Sequence, residues 1–131
     1  MSGSIVRVRD VMKKEILSID GMASVTKAAQ MMREARVSEL LVTRRHDDDA
    51  WGMITVTDLV KQVIVPGLEG EEVSVYEIMT KPIITVPANM DIRYAVRLMN
   101  RTKIRSAPVE DMGEVVGVVT LSSLVLDNNL L

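Results

Sequence analysis

A chain of 131 residues, 47% hydrophobic and 26% charged, is sized and composed for one continuous globular core and not for disorder. Generic nucleic-acid binding gains nothing from a formal charge of −2, with 16 basic and 18 acidic residues, because phosphate affinity needs a clustered positive surface. Cysteine is absent, which excludes disulfides and thiolate chemistry, and no apolar run is long enough to cross a bilayer. With no secretory apolar core at the N-terminus either, a soluble cytoplasmic protein is expected, with neither membrane nor nucleic acid among its partners. The aromatic residues are Trp51, Tyr76 and Tyr94, with no Phe, so a planar ligand would be gripped mainly by aliphatic side chains.

Taken in chain order, the first phrase, VRDVMKKEILSI from Val8, returns as VYEIMTKPIITV from Val75. Met12 matches Met79 and Ile19 matches Val86, both 67 residues apart. At the same spacing SVTKAAQMMREARVSELLV (24–42) lies over DIRYAVRLMNRTKIRSAPV (91–109). The offset then drops to 65, where Gly52 matches Gly117 and Thr55 matches Thr120, so a loop has absorbed two residues while core positions keep their register. The repeats run over 8–65 and 75–131, and the intervening 66–74, opening on PGLEGEE, has the composition of a linker.

Each repeat carries the same coarse order. ILSI and IITV are short extended runs, each followed by a polar or Pro-containing turn. A helix comes next, with apolar residues at 25, 28, 29, 31, 32 and 35 in the first copy and at 92, 95, 96, 98 and 99 in the second. Ser24 and Asp91 occupy the N-cap positions. ELLVT pairs with WGMITV and APVE with VVGVVTL as hairpins, and a second helix follows, clear in TDLVKQVIV and shorter at the C-terminus. The fold class is therefore α/β (α+β), two βαββα units, with the first two strands of each most simply parallel. The apolar arc of the helix over 25–35 spans roughly 160°, wide enough either to bury a second face against a partner or to serve a deep core shared by the units.

Two such units in tandem resemble a pair of CBS (cystathionine β-synthase) domains, the Bateman module, over nearly the whole chain. The resemblance rests on VMKKEILSI and IMTKPIITV, on ARVSELLV and KIRSAPVED, and on GMITVTDL and GVVTLSSL. It implies two repeats packed with pseudo-twofold symmetry, a homodimer formed through helices, and a non-catalytic regulatory module that senses cellular energy state. The implied ligand is AMP, ADP or ATP, with S-adenosylmethionine as the alternative, bound in the cleft between the repeats, and no cofactor is required. The partner it would regulate is an unidentified protein. A dimerisation scaffold with vestigial clefts is the other reading.

Thr55 ends a strand and Asp58 opens a helix, so backbone N–H groups and the positive helix end converge there, which suits a phosphate. The Thr55 hydroxyl can donate to a phosphate oxygen, and Asp58 is better placed to accept from ribose hydroxyls. Thr-x-x-Asp at a helix start is equally ordinary capping chemistry, stabilising by about 1 kcal/mol. The resemblance implies a site joining Met53, Thr55 and Asp58 to Ile83, Ile84, Ile104, Ser106 and Ala107, with Ile83 and Ile104 sandwiching the base. Arg36 and Arg105 stand where the family often places a basic residue facing phosphate, Arg36 beside Val37 and Ser38. The second phrase keeps Thr120 but has Ser123 in place of the acid, so the two clefts should differ in affinity. His46 and Asp47–Asp49 carry metal-ligand types, yet adjacent hairpin side chains seldom converge, and a solvated turn is the reading. No catalytic constellation appears, so an enzyme is not expected.

Overall fold

The hairpin phrases fold as their alternation predicts. Glu39–Val42 (β2) and Gly52–Thr55 (β3) pair antiparallel, with Leu40 opposite Ile54 and Leu41 opposite Met53. Ser18–Ile19 (β1) lies parallel to β2, giving the order β1-β2-β3. Parallel neighbours need a crossover, and helix Val25–Ala35 (α2) supplies it. The Ser24 hydroxyl accepts the Lys27 N–H at 3.1 Å, capping the helix as the sequence implies. Val25, Ala28 and Met32 bury one stripe of α2 against Ile19, Leu40, Val42 and Ile54. The helix stops at Arg36, which adopts the left-handed conformation (φ 57°). After β3 comes a short helix, Val56–Leu59 (α3), which continues as a π-helical turn over Val60–Ile64.

The second sheet repeats this plan. Ser106–Asp111 (β5) and Glu114–Thr120 (β6) pair antiparallel, Val86–Pro87 (β4) is parallel to β5, and the order is β4-β5-β6. Met112 (φ 51°) and Gly113 (φ 83°) make the two-residue turn of the β5–β6 hairpin, both in the left-handed region such a turn requires. Helix Ile92–Thr102 (α5) is capped by Asp91, and Leu121–Leu126 (α6) follows β6. Ile92, Ala95 and Met99 meet Val86, Ala107, Val109, Val119 and Leu124 in a separate core.

The computed structural model describes residues 5–46, 48–81 and 84–131. Its contacts divide them into two compact units, one within Leu17–Ile83 and one made of the described residues up to Ile16 together with Ile84–Leu131. Each sequence repeat therefore gives away its opening segment. Two four-residue helices, Val8–Val11 (α1) and Val75–Ile78 (α4), are too short for periodicity to reveal, and each completes the unit built by the other repeat. Val8 is fully buried among the residues of the second core, and Val75 among those of the first.

Backbone bonds fix both insertions. Val8 N–H reaches the Met90 carbonyl at 2.9 Å, and Lys13 exchanges two 2.9 Å bonds with Val118 on β6. In the other unit Val75 N–H reaches the Ala23 carbonyl at 2.8 Å, and Thr80 exchanges bonds of 2.9 and 3.1 Å with Met53 on β3. The stretch expected as a linker, 66–74, holds a 3₁₀ turn at Gly70–Glu72, and the Val73 carbonyl takes the Val25 N–H at 2.9 Å. The apolar arcs are absorbed partly at home: Met31 packs on the first core, and Val96 and Leu98 on the second.

These insertions explain the two matched glycines. A Cβ on Gly52 would stand 2.5 Å from Met79 Sδ, a side chain that can swing aside. A Cβ on Gly117 would meet Met12 Sδ at 2.6 Å and also the Lys13 carbonyl oxygen at 2.7 Å, which is backbone held by two hydrogen bonds. Gly117→Ala is therefore expected to cost about 2–3 kcal/mol by overpacking and Gly52→Ala about 1 kcal/mol, as read by urea denaturation. Equal costs would disprove the backbone clash.

Candidate functional site

Thr55 and Asp58 form a reciprocal capping box. The Asp58 N–H donates to Thr55 Oγ1 at 3.2 Å, and the Thr55 N–H donates to Asp58 Oδ2 at 2.9 Å. The capping role weighed from the sequence is thus realised, and it does not exhaust either side chain. The Thr55 hydroxyl proton is still available to donate, and Asp58 Oδ1 has no hydrogen-bond donor among the described residues. Both side chains are half-buried, so one free donor and one free acceptor share a strand-to-helix junction. The Val56 N–H is taken by the Ser38 carbonyl at 3.0 Å, and Glu39 pairs with Thr55, so Ser38 lies against the junction and Val37 just before it. The Ser38 hydroxyl donates to Glu39 Oε2 at 2.7 Å.

The second copy has half of this arrangement. Thr120 Oγ1 accepts the Ser123 N–H at 3.1 Å, but Ser123 returns nothing to the Thr120 N–H. Its hydroxyl is instead engaged with Asp127 Oδ2, also at 3.1 Å. The Arg105 carbonyl takes the Leu121 N–H at 2.8 Å, and Ser106 pairs with Thr120, so Arg105 and Ser106 lie against this junction. By position Arg105 is therefore the counterpart of Ser38. Arg36, the left-handed C-cap of α2, is the counterpart of Lys103 (φ 59°) at the end of α5. The Arg36 and Arg105 side chains are both exposed.

Met53 is 8% exposed in the first unit, with its backbone tied to Thr80. Ala107 is fully buried in the second core, which leaves a ligand little but backbone there. Ile104 is half-buried against that core, and Ile84 is 38% exposed. Ile83 lies outside the described residues.

The sequence carries no local signal for a polar cluster built on Asp49. Asp49 was expected to lie in a solvated turn, yet its side chain is only 9% exposed. It forms an ion pair with Lys81, accepts the Arg45 N–H at 3.1 Å and lies 3.6 Å from Arg45 Nε. The Arg45 guanidinium sits 4.1 Å from the Tyr76 ring centroid and bonds the phenol oxygen, with Lys81 3.5 Å from that oxygen. The cluster ties the β2–β3 loop to α4 and the residues after it. Partners 32 residues apart carry no local signal, which is why the spacing did not reveal it. Among the described residues no group of His, Asp and Glu is arranged to hold a metal ion. Nor is any of their helices long and apolar enough to cross a membrane.

Two tandem βαββα repeats, each with a Gly-x-x-Thr strand end that caps a helix, define a duplicated module built on one plan. The CBS domain family model matches residues 8–65 and 75–126, and the chain belongs to the CBS-domain family, whose members are generally regulatory ligand-binding modules. It is 31% identical over 92% of its length to an uncharacterised protein of Methanopyrus kandleri. It spans 61% of that relative and 62% of a second archaeal one, from Methanocaldococcus jannaschii. Among solved structures, a conserved protein of Pyrococcus horikoshii superposes with a TM-score of 0.84 at 30% identity, covering 98% of this chain and 96% of that one. A hexameric CBS-CP12 protein from bloom-forming cyanobacteria superposes at 0.90 and 30% identity, covering 98% and 75%.

Asp49 supplies a pH test. The hydrogen bond from Lys81 comes first and the Arg45 N–H second in holding its carboxyl well below the ordinary value of 3.8, and Asp49 in turn raises Lys81 above 10.5. A depressed folded-state value means that the Asp49 contribution is complete above 3.8 and is lost as the pH falls below it. The Lys81 contribution is complete below 10.5 and fades above it. Asp49→Asn should melt lower than the parent at neutral pH and lose less on further acidification to about pH 2. Parallel pH–melting curves for the two proteins would rule the linkage out.

Proposed function

We propose that this chain is a non-catalytic sensor of adenine nucleotides that acts in the cytoplasm, binding AMP, ADP or ATP through the Thr55–Asp58 junction. The observation that carries this reading is the unused hydrogen-bonding capacity there: one hydroxyl proton and one carboxylate oxygen remain after the capping box is made. Asp58 Oδ1 accepts from the ribose hydroxyls, and the Thr55 hydroxyl donates to phosphate. Aliphatic side chains hold the base, since the three aromatic rings already face cations: Trp51 at 4.9 Å from Arg44, Tyr76 at 4.1 Å from Arg45 and Tyr94 at 5.2 Å from Arg97. Binding needs no cofactor, and its output is a changed contact with a protein partner. Calorimetric titration with AMP, ADP, ATP and S-adenosylmethionine is expected to give saturable heat with at least one of the first three. A hundredfold excess over Kd should add about 2.7 kcal/mol of stability. Asp58→Ala should weaken binding at least tenfold, beyond its capping cost of about 1 kcal/mol in stability. Heat from none of the four compounds would leave the scaffold reading, which the Ser123–Asp127 contact favours for the second junction.

The scaffold reading and the sensor reading share a homodimer. Val56 (44% exposed), Val60 (40%) and Ile64 (68%) recur along the α3 helix and its π-helical turn, an apolar line in water. A dimer through this face depends on apolar burial and should persist at high salt. Ile64→Glu is expected to yield monomers by light scattering, and an unchanged mass would exclude this face.

A further inference from the structure

Helix α5 is charged on one side only. Arg93, Arg97 and Arg101 are exposed at successive turns, in steps of about 6 Å. The side chain of Arg97 leans over Tyr94, which is 58% exposed. None of the three makes an ion pair among the described residues, and no acidic residue occurs from 92 to 105. Its counterpart α2 mixes signs, with Lys27 and Arg33 beside Glu34.

The complementary charge lies in the same chain. Glu69, Glu71 and Glu72 are exposed, and no cation meets them among the described residues. They stand on a fixed backbone, because Glu72 N–H bonds the Glu69 carbonyl at 3.0 Å and Val73 is held by Val25. The asymmetry extends to whole units. Met1–Ile16 with Ile84–Leu131 carries 9 basic and 7 acidic residues, a net +2, whereas Leu17–Ile83 carries 7 and 11, a net −4.

We propose that copies of this chain associate head to tail, the Arg93–Arg97–Arg101 face of one docking on Glu69, Glu71 and Glu72 of the next. Arginine forks match carboxylates, and Arg with Tyr is the composition of protein interfaces. A second copy fits the face better than a nucleic acid, because the −4 unit travelling with the stripe repels phosphate. The contact is heterologous, so each copy keeps one free stripe and one free acidic run. Association then continues until a ring closes or a filament grows. It also differs from the apolar dimer in kind, since exposed ion pairs are screened by salt.

Sedimentation velocity on the full chain tests this. At about 50 mM salt the protein should form species larger than the dimer, and these should disappear at about 0.5 M salt, where the Debye length is only a few ångströms. Arg93→Glu/Arg97→Glu/Arg101→Glu and Glu69→Arg/Glu71→Arg/Glu72→Arg should each abolish the large species alone. Mixed together they should restore them, because each variant supplies the sign the other lacks. Circular dichroism checks the fold, and if a charge reversal unfolds the chain, the Arg→Gln and Glu→Gln triples must each produce the same loss. The proposal is overturned if the mass does not change with salt, or if mixing fails to restore assembly. It is equally overturned if the variants lower the melting temperature without changing mass, which places the contact within one chain. Arginine variants that lose binding to a short single-stranded oligonucleotide while keeping the parent's assembly would also overturn it.

Discussion

Everything in this molecule depends on a short segment from outside each repeat reaching the free edge of a three-stranded sheet. Lys13 pairs with Val118 on β6 and Thr80 with Met53 on β3, through two backbone bonds each. An edge strand left open exposes unpaired N–H and C=O groups, and these bridges cover part of both edges. The same segments deliver Val8 and Val75 to fully buried positions. A unit of this size has little core to spare, so a missing valine would be a large fraction of it. The insertions are part of each unit's fold: the unit built on Ile84–Leu131 takes its segment from before Leu17, and the unit Leu17–Ile83 takes its own from beyond the first repeat.

That constraint changes how the Gly-x-x-Thr-x-x-Asp phrase is understood. Its glycine is required by the inserted segment, because Met79 or Met12 lies where a Cβ would stand. Its threonine is required by the helix start in both copies. Its aspartate, present once, closes the capping box with a single oxygen. The Gly, Thr and Asp of the phrase are therefore structural, and the proposed ligand would use the atoms that structure does not consume.

The local parts of this were legible in the sequence. The spacing of 67 residues between repeats located both crossover helices, and Ser24 and Asp91 cap them as expected. The hairpins follow from alternation, and the capping chemistry of Thr55 and Asp58 follows from their spacing. What escaped was non-local. VRDV and VYEI are single helical turns, too brief for a periodic signal, and no pattern states which sheet a segment will join. The Asp49–Lys81 pair escaped for the same reason, since an isolated acidic run in a hairpin looks solvated until its distant cation is placed. The π-helical turn at Val60–Ile64 has no counterpart in α6, and nothing in its composition marks it.

Comparison of the two copies within one chain separates what structure demands from what it leaves free. Positions that agree, such as Gly52 and Gly117, Met79 and Met12, Thr55 and Thr120, are those that carry the same backbone or packing role in both copies. Positions that differ are ones the fold tolerates: Asp58 against Ser123, the Ser38 hydroxyl against the Arg105 guanidinium, the mixed charges of α2 against the basic side of α5. At the junctions the difference has a direct chemical consequence, because Ser123 spends its hydroxyl on Asp127 while Asp58 keeps an oxygen free. Two junctions with one architecture thus present different hydrogen-bonding atoms, and a ligand that needs a carboxylate acceptor is met by Asp58 and not by Ser123. Divergence at positions the fold tolerates is how a duplicated module comes to have chemically unequal junctions without putting its two cores at risk.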